Sequence, residues 1–175
     1  MLKKIGIALV VIVVAILGFA ATRPDTFRVQ RSATVKAPPE KIFPLIDDFR
    51  RWTAWSPWEK VDPAMKRSYD GAPSGKGAAY AWDGNGDVGA GRMEIVESTP
   101  SSRIAIKLDF VRPLEGHNVA EFTLQPVADG TTVTWAMYGP APFLSKLMQV
   151  FFSMDAMIGG AFETGLADLK TIAEK

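Results

Sequence analysis

The stretch Trp52-Thr-Ala-Trp-Ser-Pro-Trp58 places three of the five tryptophans between a short helical pattern and a series of strand patterns. An indole side chain buries a large apolar area and keeps one N–H group for a directional hydrogen bond. Three of them close together either plug the end of a hydrophobic core or line the mouth of a cavity. The rest of the sequence indicates what kind of cavity this stretch could border.

The segment before the tryptophans has the period of a strand. From Phe27 to Lys36 apolar and polar residues alternate, which predicts a half-buried strand. Arg31 interrupts the apolar face, either as an ion pair at the strand end or as a polar group that points into a cavity. Ala37-Pro-Pro-Glu40 then ends the strand and opens a helix, and a second short helix is predicted near Phe49 to Thr53.

The segment after Asp62-Pro63 predicts a run of antiparallel strands separated by turn residues. The predicted strands are Met65–Tyr69, Gly77–Trp82, Gly91–Ser98, Arg103–Phe110, Val119–Gln125 and Thr131–Tyr138. Their alternation assigns one apolar, aromatic-rich face, which includes Tyr69, Tyr80, Trp82, Ile106, Phe122 and Trp135. Together with the first strand, these segments predict a seven-stranded sheet with an apolar concave side.

The C-terminal segment changes period. From Phe143 apolar residues recur every 3.6 residues, which predicts one long amphipathic helix from about Pro142 to Ala173. Gly159-Gly160 in its middle suggests a kink or a close approach to another backbone. The predicted fold is therefore α+β, with the antiparallel sheet curled around this helix.

Composition excludes several classes of function. The chain has 175 residues, the length of one globular domain with a short appendage. It contains no cysteine and a single histidine, His117, so disulfides, cysteine nucleophiles and histidine- or thiolate-based metal centres lack their residues. Lysine and arginine number 20 against 19 acidic residues, a balance that gives no indication of a nucleic-acid-binding face.

One glycine-rich loop matches two binding motifs, and we reject both. Gly84 to Gly89 matches the dinucleotide-binding fingerprint, but that motif requires a helix to follow, whereas Arg92 to Glu97 continues with period two. The same loop has a calcium-loop spacing with Val88 where glycine is required and strands where helices are required. His117 fits a turn histidine better than a general base. We therefore predict no metal, no cofactor and no assigned catalytic residue.

The N-terminal segment predicts contact with a membrane. Ile5 to Thr22 carries no charge and is dense in valine, isoleucine, leucine and alanine, which fits either an uncleaved single span or the core of a cleaved signal. The predicted organisation is a membrane anchor or signal segment at 1–22, a linker at 23–26 and a ligand-binding domain at 27–175. We predict a membrane-anchored domain outside the cytoplasm, the alternative being a secreted or periplasmic domain after cleavage.

The order of strand, two short helices, six strands and one long helix is that of the helix-grip fold. Four segments resemble the START-like superfamily and, within it, the bacterial polyketide cyclase/dehydrase and lipid-transport family. These segments are Arg31 to Phe43, Trp52 to Trp58 with Asp62-Pro63, Tyr80 to Asn85 with Val88 to Gly91, and Gly130 to Trp135. The resemblance implies a sheet that wraps the long helix and leaves a cavity for an apolar ligand.

We therefore predict a membrane-tethered domain that binds or carries an apolar small molecule or lipid, ahead of a polyketide cyclase-like enzyme or a ligand-free interaction module. The candidate cavity residues are Trp52, Trp55, Trp58, Tyr69, Tyr80, Trp82, Glu94, Ile106, Phe122, Trp135, Met148 and Phe152. An enzyme would also need a titratable group in the cavity, and the candidates are Glu94, Arg67, Arg31, Tyr80 and His117. Within the tryptophan stretch, we assign Trp58 as a core plug and Trp55 as a gate.

Overall fold

The computed structural model describes residues 2–175 and contains five α-helices, one 3-10 helix and seven strands within that range. The helices are α1 (Leu2–Ala21), α2 (Pro39–Asp47), the 3-10 helix (Phe49–Ala54), α3 (Pro57–Val61), α4 (Phe143–Phe151) and α5 (Met154–Ala173). The strands are β1 (Thr26–Val35), β2 (Lys66–Gly71), β3 (Ala78–Asp83), β4 (Ala90–Thr99), β5 (Arg103–Arg112), β6 (Gly116–Val127) and β7 (Gly130–Pro140). The predicted strands are confirmed, with small shifts at their ends.

The seven strands form one antiparallel sheet in the order β1-β7-β6-β5-β4-β3-β2. The first and last strands are therefore neighbours, and Arg31 lies opposite Trp135. α2, the 3-10 helix and α3 connect β1 at one edge of the sheet to β2 at the other. The inward residues of the strands form one hydrophobic core with Phe162, Leu166 and Leu169 of α5. This arrangement confirms the predicted α+β helix-grip fold.

The predicted single C-terminal helix is two helices. Phe152 has extended backbone, and the hydroxyl of Ser153 accepts a hydrogen bond from the backbone N–H of Ala156 at 3.3 Å, which caps the start of α5. The helical period continues through this break, so the sequence pattern did not reveal it. The break separates α4, which contacts α1, from α5, which packs on β1.

Gly159 and Gly160 mark no kink, because α5 is continuous across both. A methyl group at Gly159 would lie 2.1 Å from a guanidinium nitrogen of Arg31, which bonds Asp155 and Glu163 of the same helix. The close approach that the glycines predict is therefore to the Arg31 side chain and not to another backbone. Of the two roles predicted for Arg31, the ion pair is therefore the one observed, with both carboxylate partners on α5.

Gly165 and Gly160 provide a matched test of how closely α5 packs on the sheet. Alanine should gain about 1 kcal/mol of helix propensity at either position. Gly160→Ala should therefore stabilise the protein, since nothing lies within 4 Å of the added methyl group. Gly165→Ala should destabilise it by about 1–3 kcal/mol, the usual cost of overpacking, since the methyl group would lie 2.8 Å from the Trp135 ring and 3.0 Å from Pro57. Urea unfolding of both variants measures the difference, and equal stabilisation would contradict the packing.

Candidate ligand cavity

The concave face of the sheet, α3 and α5 enclose a cavity of about 300 Å³. Most of its walls are apolar or aromatic, formed by Trp52, Trp58, Met65, Tyr80, Trp82, Val88, Met93, Leu108, Phe110, Pro113, Ala120, Trp135, Met137, Met157, Ile158 and Phe162. Its polar lining residues are Ser56, Glu59, Asp87 and Arg112. Alternation along the strands explains the apolar walls, because every second side chain of β3 to β7 points to this face.

A polar cluster lies in the wall of this otherwise apolar cavity. Glu59 of α3 is only 8% exposed in its side chain, and one carboxylate oxygen accepts a hydrogen bond from Nε of Arg67 at 2.8 Å. Its other oxygen accepts from the Tyr80 hydroxyl at 3.2 Å. Arg67 also donates to the backbone carbonyl of Met65 at 2.7 Å. A buried carboxylate is tolerated in such a wall only because a cation and a hydroxyl compensate its charge.

The environment of this cluster raises the pKa values of two of its members, Tyr80 and Arg67. Burial raises the pKa of the Tyr80 phenol far above its ordinary value, and the negative charge of Glu59 raises it further. The hydrogen bond to Glu59 raises the pKa of the Arg67 guanidinium, although burial opposes that shift. Tyr80 is therefore a neutral hydrogen-bond donor and Arg67 a fixed cation at neutral pH. The cluster can orient a hydroxyl or amine group of a ligand, and it contains no second carboxylate for acid–base exchange.

The phenol of Tyr80 should stay protonated at pH values at which a free tyrosine, with a pKa of 10.0, ionises. Because the folded pKa lies above the unfolded one, Tyr80 contributes stability that is fully present below pH 10 and is lost as pH rises further. Ultraviolet absorbance titrations of the wild type and of Tyr80→Phe measure this, because the difference between the two curves is the ionisation of Tyr80. Ionisation of Tyr80 near pH 10 with the fold intact would contradict its burial beside Glu59.

The structure reverses the roles assigned to two of the clustered tryptophans. Trp55 is fully buried, and its indole N–H donates to the carbonyl of Leu45 at 2.9 Å. Trp52 donates in the same way to the carbonyl of Ile46 at 2.9 Å but also lines the cavity. Trp58 is half-buried and lines the cavity as well. Trp55 is thus the core plug. The hydrogen bonds from Trp52 and Trp55 to α2 carbonyls fix the orientation of the 3-10 helix and turn Trp55 into the core.

The other candidate residues divide between cavity, core and surface. Tyr80, Trp82 and Trp135 line the cavity from the concave face of the sheet. Ile106 and Phe122 are buried in the core, and Tyr69 packs against the ring of Tyr80 with 5.3 Å between centroids. The three remaining candidates, Glu94, Met148 and Phe152, lie neither in the lining nor in the core. Glu94 pairs with Arg92 on the outer face of β4, and the helix break leaves Met148 and Phe152 exposed.

A family model described as "Polyketide cyclase / dehydrase and lipid transport" matches residues 26–174, which is nearly the whole chain after α1. The chain belongs to this family. The matched range begins at the first residue of β1, so the family domain consists of the sheet and all the helices after α1. No curated protein matches the sequence.

Solved structures of the same fold come from several bacteria. A protein from Chromobacterium violaceum superposes with a TM-score of 0.60 at 17% identity, covering 87% of this chain and 99% of its own. A protein from Mesorhizobium loti gives a TM-score of 0.61 at 15% identity, covering 83% and 96%. A protein of the dynemicin biosynthetic locus gives 0.58 at 22% identity, covering 87% of this chain and 48% of its own. These superpositions show that the family domain shares its fold with these proteins.

Ser56 and Glu59 are among the cavity residues that were not candidates in the sequence analysis. Both flank the Pro57-Trp58 pair in α3, a five-residue helix that no periodicity could reveal. The available signal was a carboxylate directly after an aromatic residue that already counted as a cavity candidate. His117 is the second residue of β6 and pairs with Asp109 of β5, so the prediction of a turn histidine was wrong. It lies on the exposed side of the sheet, with Nδ1 2.7 Å from the Asp109 carboxylate.

Proposed function

We propose that this protein binds or carries an apolar small molecule, or the apolar part of a lipid, in the cavity between the sheet and α5. The observation that carries the proposal is the combination of about 300 Å³ of apolar space with one compensated polar cluster in its wall. Ligand sites in proteins have this composition, with apolar walls that supply affinity and a few polar groups that fix orientation.

The size and chemistry of the cavity narrow the ligand class. A volume of about 300 Å³ lies at the lower end of ligand sites, so the cavity accommodates a compact apolar molecule or one acyl-chain segment. Glu59 can accept one further hydrogen bond from a hydroxyl or amine group, while Tyr80 holds its second oxygen. A ligand with an apolar body and one hydrogen-bond donor fits both features.

Helix α1 supports a membrane tether in this proposal. Lys3–Ala21 is long and apolar enough to cross a bilayer, and nearly all of its side chains are exposed to the surroundings. Fractionation of the full-length chain tests the tether. Extraction of the intact chain only by detergent is expected, whereas a shortened chain in the soluble fraction would favour a cleaved signal and contradict the tether.

Ala120 offers a direct test of the cavity. Leucine at this position adds three carbon atoms to the lining and should weaken binding of an apolar fluorescent probe by about tenfold, since overlap in a filled site costs about 1–3 kcal/mol. Val119→Leu is the matched control, because the neighbouring residue of the strand points to the opposite face. Equal affinities of the wild type and Ala120→Leu for the probe, with both proteins folded, would contradict the proposal. Native mass spectrometry of the wild type then identifies any retained ligand.

A second candidate function is acid–base catalysis on the bound molecule, favoured by the position of the Glu59 carboxylate beside Tyr80 in the cavity wall. A carboxylate that keeps one free acceptor site can remove a proton from a bound substrate. Glu59→Gln distinguishes the candidates. A carrier should still retain its ligand, whereas an enzyme should bind its substrate without converting it.

A further inference from the structure

Helix α4 has its polar and apolar sides reversed relative to an ordinary surface helix. The side chain of Lys146 is 11% exposed, whereas Leu144 and Phe151 are 56% and 63% exposed. Leu144, Met148 and Phe151 follow the i, i+4, i+7 spacing of one helix face, and Phe143, directly before Leu144, is also exposed. Water-exposed helices place such a stripe against the core, so this outward stripe indicates a second apolar environment.

Helix α4 lies beside the end of α1. The two helices contact each other, with Ala20 buried and Ile16 half-buried on α1. Lys146 forms an ion pair with Asp25 of the linker, and the backbone N–H of Ala141 donates to the carbonyl of Asp25 at 2.7 Å. These contacts fix α4 at the point where the chain leaves α1.

The cavity opens at the same end of the molecule. β1 begins at this end, and antiparallel pairing brings the β3–β4 loop and the β5–β6 loop there as well. The exposed residues of the cavity lining come from these loops, from the end of β5 and from the start of α5, namely Asp87, Arg112, Pro113 and Met157. Three further apolar residues close to these in the sequence are also exposed: Val111 and Leu114, which flank Arg112-Pro113, and Phe152, which precedes α5.

We propose that the outward apolar stripe of α4, together with Phe152 and Met157, inserts into the surface of the lipid bilayer that α1 anchors. This inference rests on the membrane tether of the proposed function and adds a second contact that orients the domain. A helix that lies in the interfacial plane with its apolar side in the acyl region has this pattern of exposure. In that orientation the cavity opens onto lipid, so an apolar ligand enters from the bilayer without crossing water.

The absence of cysteine from the sequence makes a depth measurement direct. Phe151→Cys in the full chain, labelled with a thiol-reactive fluorophore and reconstituted in phosphatidylcholine vesicles, should be quenched by brominated acyl chains. Val127→Cys is the matched control, because Val127 is also exposed but lies in the β6–β7 hairpin at the opposite end of the sheet. The proposal requires several-fold stronger quenching at position 151 than at position 127.

The outcomes separate this proposal from the one on which it rests. A chain that fails to sediment with vesicles overturns the tether and the docking together. A chain that sediments but shows equal quenching at both positions overturns only the docking of α4. A blue-shifted label at position 151 without quenching also overturns it, because protein then covers the stripe, as in association with a second copy.

A charge on the stripe gives a functional measurement. Phe151→Asp should slow transfer of an apolar probe from vesicles to the protein about tenfold, since insertion of a carboxylate beside acyl chains is unfavourable. Binding of the same probe in detergent solution should be unchanged, because Phe151 does not line the cavity. Val127→Asp should alter neither quantity. Unchanged transfer by Phe151→Asp would overturn the proposal.

Discussion

Replacing Trp55 with alanine should lower the free energy of unfolding by about 3–5 kcal/mol, the usual cost of truncating a buried aromatic side chain. Trp55 is fully buried, with its ring 4.7 Å from that of Trp52 and 5.5 Å from that of Trp135 between centroids. The variant also leaves the carbonyl of Leu45 without its indole donor. Probe affinity measured on the folded fraction should be unchanged, because Trp55 does not line the cavity.

Trp58→Ala is the matched control for this prediction. Trp58 is half-buried and its ring meets those of Trp135 and Phe162 across the cavity wall. Its truncation should cost less stability than that of Trp55 and weaken probe binding. Urea titrations paired with binding isotherms measure both quantities. Weaker binding by Trp55→Ala, with no effect of Trp58→Ala, would restore the assignment made from sequence.

Replacing Arg67 with methionine should destabilise the protein by about 3 kcal/mol, the lower limit for breaking a buried ion pair by removing one partner. The lower limit applies because Arg67 is 21% exposed in its side chain and retains some hydration, whereas Glu59 is 8% exposed. Without Arg67 the carboxylate of Glu59 keeps only the hydroxyl of Tyr80 as a side-chain donor among the described residues. The unpaired negative charge is therefore the source of the loss.

A double-mutant cycle tests this explanation. Adding Glu59→Gln to Arg67→Met removes the charge that lacks a partner, so the double variant should be more stable than Arg67→Met alone. Tyr80→Phe should cost only about 1 kcal/mol, the value of one ordinary hydrogen bond. A double variant that loses the sum of both single effects would show that Glu59 and Arg67 act independently, contrary to their contact at 2.8 Å.

The sheet could be predicted from sequence because its signal is local. Tyr80, Trp82 and Trp135 occupy every second position of their strands, and this alternation alone placed them on the concave face. The same argument predicted seven strands in one antiparallel sheet, which the structure confirms. The family domain thus follows from residue periodicity and turn residues.

The rest of the cavity depended on contacts between distant segments. Glu59 became a cavity residue only because Arg67 and Tyr80 come from strands that β2–β3 pairing brings together. The break before α5 depends on the Ser153 cap, which competes with a helical period that continues on both sides. Met148 and Phe152 were consequently assigned to the cavity, whereas the break turns them toward the surroundings.

The pairing of β1 with β7 has a consequence for the order in which the chain folds. The hydroxyls of Ser32 and Thr134 meet at 2.8 Å although 102 positions separate them, so the first strand made has no partner until the last strand exists. Loop closure over that distance is slow, and the sheet cannot close on a nascent chain that is still in the ribosome. The sheet therefore stays open at β1 until synthesis has reached the end of β7 at Pro140.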